Sequence, residues 1–228
     1  MKAICITVWA GLCTSFAAHA LTPQQKLDAF MQQQAPAGWA VQQYAVGDLN
    51  KDRLADVALV VEQKDPAKMI PNDNLGAKVL NLNPRRLVIG LQTAQGYALH
   101  SSLDGLIPSE NSEEAPCLAD TFEPKSLSIA KNVLVLNLSY WLSCGSYATS
   151  QDTYRFRLDA TQRFRLIGHD THESHRASGE THSSSRNLLT GRQIDEYGNF
   201  SEDKPDKVKR SRFKLPPVQY LDAFKLQQ

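Results

Sequence analysis

Apolar positions along the chain change period once, near its beginning. Leu27, Phe30 and Met31 recur at helical spacing, and Thr22-Pro23-Gln24-Gln25 precedes them with a capping hydroxyl, a first-turn proline and a glutamine at the third helical position. That order predicts one short amphipathic helix ending near Pro36-Ala37-Gly38. Beyond it the period becomes two, in short runs: Trp39 to Val46, Leu54 to Val61, Arg86 to Leu91, Tyr97 to His100, Leu127 to Ile129, Val133 to Leu142, Tyr154 to Leu158 and Phe164 to Ile167. Runs of this length bounded by turn residues predict strands.

The sharpest pattern is YRFRLDATQRFRLIG. Tyr154, Phe156 and Leu158 face one way and Arg155 and Arg157 the other; after a short Asp-Ala-Thr-Gln turn, Phe164 and Leu166 oppose Arg163 and Arg165. This predicts a hairpin with one buried face and one basic, solvated face. Three polar segments interrupt the strands, Gln63 to Arg85, Gly105 to Lys125 and Gly168 to Arg186, and are expected as long loops. The end of the chain is basic around Lys204 to Lys214; LPPVQYLDAF after it is expected to dock as an edge strand and a short final helix. The fold class expected is mainly β: an antiparallel meander, as a curled or partly propeller-like sheet or a sandwich, with a short N-terminal helix.

Composition narrows the class further. The first twenty residues carry Lys2, an apolar run from Ala3 to Phe16 and the small-x-small ending Ala18-His19-Ala20, the pattern of a cleavable secretory signal. Cleavage near Ala20 leaves residues 21–228 as one exported domain, periplasmic or secreted, with no membrane span in the mature chain. Lys2 is the only charged residue lost with the leader, so the mature chain carries 24 acidic residues and as many basic ones. That balance argues against nucleic acid and against an anionic membrane surface as partners. Of four cysteines, Cys5 and Cys13 leave with the leader, and the remaining Cys117 and Cys144 are expected to form a disulfide in an oxidising compartment.

Two segments carry candidate chemistry. In GDLNKDRLAD, oxygen-bearing groups fall at alternate positions, Asp48, Asn50 and Asp52, then the Leu54 carbonyl and Asp56. Alternate oxygens on a curled loop point inward, as the six to eight oxygen ligands of calcium require. It is no EF-hand, since Arg53 stands where that loop needs glycine and Leu59 where it needs a bidentate glutamate. The loop resembles instead the D-x-N-x-D-x-x-x-D turn between two strands of FG-GAP and VCBS repeats in integrin-like proteins. That resemblance implies a structural calcium ion, and it runs from Tyr44 to Glu62 with Arg53 in place of the family's usual glycine. Only one such loop occurs, which excludes a seven-bladed propeller of repeats. The second segment, GHDTHESHRASGETHSSS, holds His169, His172, His175 and His182 among Asp170, Glu173 and Glu180. Imidazoles with a carboxylate suit zinc or copper, yet the spacing matches neither H-E-x-x-H nor a C-x-x-C pair, and Ser, Gly and Thr predominate, as in a solvated loop.

Asp48 in its DxNxD loop, Asn-Pro-Arg-Arg-Leu at Asn83 to Leu87, Tyr-Arg-Phe-Arg at Tyr154, Leu-Ile-Gly-His-Asp at Leu166 and Asn-Leu-Leu-Thr-Gly at Asn187 together resemble a group of uncharacterised exported bacterial proteins. The resemblance implies a shared β fold and brings no catalytic residue with it. No G-x-S-x-G elbow and no Gly-rich phosphate loop is present. Enzyme candidates reduce to Asp170, His172 and Glu173, or Ser143 and Ser146 around Cys144, and none forms a recognised set. The expectation is therefore a non-catalytic binding protein for an envelope protein or glycan, with metal-dependent hydrolysis or zinc or copper binding through the histidine segment as the alternative.

Overall fold

The computed structural model describes residues 21–226, so the expected leader lies outside the described residues. Helix α1, Pro23–Gln34, starts on a reciprocal cap: the Gln25 N–H donates to Thr22 Oγ1 at 3.2 Å and the Thr22 N–H donates to Gln25 Oε1 at 2.8 Å. Strands β1 (Trp39–Gly47), β2 (Asp56–Gln63), β3 (Met69–Pro71), β4 (Val79–Asn81), β5 (Arg85–Thr93) and β6 (Gly96–Asp104) follow. After a long connection come β7 (Leu127–Ala130), β8 (Val133–Trp141), β9 (Ala148–Leu158), β10 (Phe164–His175), β11 (Glu180–Asn187), β12 (Arg192–Asn199) and β13 (Lys207–Arg212). β1, β2, β5 and β6 make a four-stranded antiparallel sheet; β7 to β13 make a seven-stranded meander in which every strand pairs with its sequence neighbour. β3 and β4 pair only with each other. The chain is thus mainly β, antiparallel, with one short helix and two packed sheets.

Side-chain alternation explains the layering. Ala58, Val60, Leu87 and Ile89 point from the small sheet onto Leu134, Leu136, Tyr154, Phe156 and Leu166 of the large one. The opposite face of the small sheet carries Val57, Leu59, Val61 and Val88, and α1 covers it with Leu27 and Phe30. β2 is therefore buried on both faces, which is why its sequence DVALVVEQ is an apolar run rather than an alternation. At Gly90 the helix lies close against the sheet: a Cβ there would lie 2.5 Å from the Phe30 ring.

The predicted hairpin is present as β9 and β10, with Phe156, Tyr154, Phe164 and Leu166 buried. Two of the three expected long loops are otherwise than expected. The segment from Gln63 to Arg85 contains the β3–β4 hairpin, and Gly168 to Arg186 forms the second half of β10, a tight turn and β11. The end of the chain docks as expected in part: the Leu166 N–H donates to the Gln219 carbonyl at 2.9 Å, Leu221 to Ala223 form a single 3-10 turn, and Phe224 packs edge-on against Tyr154 and Phe156. Cys117 and Cys144 form the expected disulfide, with their Cα atoms 5.6 Å apart. No helix among the described residues is long and apolar enough to cross a membrane.

Candidate functional sites in the acidic loop and the histidine hairpin

The acidic loop joins β1 to β2 and is curled by its own side chains. Lys51 and Arg53 adopt φ of 70° and 69°, and Asp48 stabilises both by accepting their N–H groups, at 2.6 Å from Lys51 and 3.2 Å from Arg53. Asn50 accepts from the Asp52 N–H and Asp52 from the Leu54 N–H, the two-residue turns that Asx side chains favour. Asp56 stands apart. It is fully buried at the start of β2, and its two oxygens accept the N–H groups of Leu49 and Gln92 at 2.7 and 2.8 Å. Burial raises its pKa above the usual carboxylate range, against those backbone hydrogen bonds. Asp48, Asn50 and Asp52 thus ring the solvent side of the turn, and Asp56 braces its base against β5.

The histidine segment is strand, and the pleat divides its imidazoles. His169 pairs in register with Tyr154 and His182 with Glu173, so His169, His175 and His182 share the face that continues the core, and His172 lies on the other. Three of the four rings have hydrogen-bond partners, and His182 is held by stacking, with its buried Nε2 unpaired. His169 stacks on Tyr154 with centroids 4.5 Å apart and places Nε2 2.6 Å from Asp152 Oδ1. His182 stacks on Tyr197, also at 4.5 Å, with Nδ1 3.7 Å from Glu173 and Nε2 3.8 Å from Asp195. His172 lies 2.8 Å from Ser183 Oγ and His175 lies 3.0 Å from Ser178 Oγ. Four residues of strand separate His169 from the register of His182, about 13 Å. Among the described residues no three His, Cys, Asp or Glu side chains converge as a metal shell.

Charges around these rings are tuned by their neighbours. The amide of Gln193 holds the Asp195 carboxyl below its usual range, helped by Ser184 and by the nearby His182. Burial pushes the Tyr140 hydroxyl up to about 12, with the Asp152 charge adding to it, and acts on Tyr154 in the same direction. The enzyme candidates hold structural posts. Ser143 Oγ donates to the Cys117 carbonyl, Ser146 Oγ accepts the Ala148 N–H, and Asp170 pairs with Arg155 while accepting from Ser185. The His172–Ser183 contact lies across a regular ladder, in which backbone N–H groups are committed to neighbouring strands and are not free to stabilise an oxyanion.

A third cluster went unread in the sequence. The fully buried guanidinium of Arg85 binds both oxygens of Asp120 at 2.6 Å, Glu62 at 3.3 Å and the Pro108 carbonyl at 3.1 Å. Glu62 in turn accepts from Lys64 and Asn81. Burial alone would raise the Glu62 carboxyl, but those hydrogen bonds and the Arg85 charge outweigh it and lower it. Arg85 opens β5 and Glu62 lies near the end of β2, so a charge at the rim of an apolar run was the available signal.

Four large aromatic residues lie at one end of the large sheet, by the β8–β9 turn, the β10–β11 turn and the end of β12, with Trp141 on the outer face and Tyr197 on the face that continues the core. Trp141, Tyr147, Tyr197 and Phe200 are 43%, 64%, 40% and 63% exposed. Arg176 ties this tip together, its guanidinium lying 5.2 Å from the centre of the Trp141 ring and donating to the carbonyls of Leu142 and Ser146. A groove of about 460 Å³ opens beside it, lined by Glu173, His175, His182, Tyr197 and Asp206. No family model, no curated protein and no solved structure matches this chain.

Proposed function

We propose that the chain is an exported, non-catalytic binding protein that presents the aromatic tip of its seven-stranded sheet to a protein or glycan of the cell envelope. The observation that carries this is the exposure of Trp141, Tyr147, Tyr197 and Phe200 at one end of the large sheet, where a stable fold gains nothing by placing them. Exposed aromatic rings beside fixed polar groups are the composition of binding hot spots. The polar groups here are ordered beforehand: Arg176 donates to the Leu142 and Ser146 carbonyls, His175 lies against Ser178, and His182 is stacked on Tyr197. Ordering before contact reduces the entropy lost on binding.

The acidic loop, at the C-terminal end of β1, supports the reading of a calcium staple there. Asp48, Asn50 and Asp52 supply side-chain oxygens whose second lone pairs remain open beyond the hydrogen bonds they accept, Leu54 supplies a carbonyl, and Asp56 holds the loop's base. The resemblance to FG-GAP and VCBS loops points the same way.

Two measurements test this. Immobilised mature chain is presented with defined glycans and envelope proteins, beside a Trp141→Ala/Tyr147→Ala variant. Retention lost in the variant and kept in Arg86→Ala, which lies on the small sheet, is expected; metal-dependent turnover abolished by His172→Ala would overturn the proposal. For the staple, calcium added after chelation raises the melting midpoint by mass action, and Asp48→Ala and Asp52→Ala cancel the rise. An unchanged midpoint removes calcium from the proposal and leaves the binding tip standing.

A further inference from the structure

β13 is the outer strand of the large sheet, and its second edge pairs with nothing among the described residues. Edges of this kind are blunted in most proteins by bulges, by covering segments, by extreme shortness or by charge. Here the pairing of β12 with β13 runs without a register shift from Arg192 opposite Arg212 to Tyr197 opposite Lys207, so no bulge turns the edge away. The chain after Arg212 leaves it too: the Phe213 N–H donates to the Gly191 carbonyl on the β12 side, and Gln219 pairs with Leu166 on β10. Charge is the one device present. Lys207, Lys209, Arg210 and Arg212 lie on the strand with Arg192 beside them and Lys214 just beyond, and none makes an ion pair among the described residues.

We propose that this edge is a docking site for an extended acidic segment of a partner protein, which adds to the sheet as a further antiparallel or parallel strand. Three observations select that occupant. A second copy of the chain pairing edge to edge would set lysine and arginine against lysine and arginine, and like charges directly opposite each other destabilise a ladder. The mature chain is charge-balanced, so this basic run, in which only Lys209 faces an acidic residue across the ladder, Asp195, is a local feature and not a reflection of net charge. Pro205 and Pro216-Pro217 bracket the run, and since proline cannot donate to a ladder, they confine pairing to the residues between them. Main-chain hydrogen bonds would supply affinity. Alternation would supply specificity, with Lys207 and Lys209 meeting one face of the incoming strand and Arg210 and Arg212 the other.

The inference rests on the binding role proposed above, yet the two fail separately, because the aromatic tip and β13 are altered by different substitutions. The probe is a blocked peptide of alternating glutamate and valine long enough to lie along β13. Its controls are a lysine–valine peptide of the same length and the glutamate peptide N-methylated at alternate residues, which keeps the charge and loses ladder donors. Calorimetry gives affinity, and hydrogen exchange reports the amides of Lys207–Arg212. Expected are binding of the acidic peptide alone, slower exchange at alternate amides of β13, and roughly tenfold weaker binding in Arg210→Glu/Arg212→Glu. Trp141→Ala/Tyr147→Ala should leave peptide binding unchanged; its loss of glycan or protein retention bears on the tip alone. Equal binding of the N-methylated peptide would show a charge patch without strand addition, and no protection in β13, or concentration-dependent self-association through it, would likewise overturn the proposal. A thermal melt of each variant separates lost binding from lost folding.

Discussion

Arg85 shows how much one side chain can hold. Its guanidinium has no exposure, and its partners are Glu62 of β2 and, within the connection from β6 to β7, Asp120 and the Pro108 carbonyl, so it pins that long connection to the small sheet at two points. Truncation in Arg85→Ala leaves the buried Glu62 with only the half-exposed Lys64 as counter-charge and takes the bidentate partner from Asp120, and it should lower unfolding free energy by about 3 to 5 kcal/mol. Arg86→Ala next to it breaks an exposed pair with Asp104 and should cost about 1 kcal/mol or less, a contrast that urea denaturation of the two variants would read directly. The same site sets the acid limb of stability. Because the folded Glu62 carboxyl is lowered, its contribution is complete above the ordinary glutamate range and is lost as pH falls through the folded value. Glu62→Gln should therefore show a shallower loss of urea midpoint between neutral pH and about pH 3. Asp56 works with the opposite sign, since its raised value means that stability falls as pH rises from the ordinary aspartate range to the folded one. Neither behaviour was legible in the sequence, where Asp56 reads as one more loop oxygen and Arg85 as a strand boundary. Burial is set by which distant segments close over a residue.

Elements packed closely behave as coupled pairs. α1 sits on the small sheet through Phe30, and Gly90 is small because the ring lies against its backbone. Gly90→Ala should cost about 1 to 3 kcal/mol by overpacking, and Phe30→Ala about 3 to 5 kcal/mol by opening a cavity. Combined, the two should cost clearly less than their sum, since the new methyl enters the space the ring vacates; additivity in a double-mutant cycle would show that the helix does not rest there. The disulfide couples elements in another way, closing a loop of sequence separation 27 between the approach to β7 and the β8–β9 connection. Cys117→Ser/Cys144→Ser should lower unfolding free energy by about 3 to 4 kcal/mol. Both elements of the helix contact were predicted from periodicity, and the cysteine pairing from compartment and count. The hairpin of β10 with β11, and β12 and β13 after it, were not. Sequences such as ETHSSSRN and KVKRSR lack alternation because neither face of those strands buries apolar groups, and it is burial of one face that writes period two into a strand.

Across the whole molecule, stability is graded along the large sheet. β8 and β9 share their inner faces with the small sheet, whereas no buried apolar side chain comes from β11, β12 or β13. Native-state hydrogen exchange should accordingly give near-global opening energies for β2, β5, β8 and β9 and distinctly lower ones for β11 to β13. Equal protection in all seven strands would show that the outer strands open only with the core. The sequence by itself determined the antiparallel β class, the capped helix, the buried face of YRFRLDATQRFRLIG and the availability of Cys117 and Cys144 for each other. These follow from local periodicity, turn chemistry and composition, which act over a few residues. Tertiary structure decided that the histidines stand on opposite faces of a sheet, that Asp56 and Arg85 are buried, that four exposed aromatic residues lie at one end of the large sheet and that β13 has an open basic edge. Those features depend on strand register and on which surfaces the two sheets leave uncovered, and both are set by contacts between residues far apart in the chain.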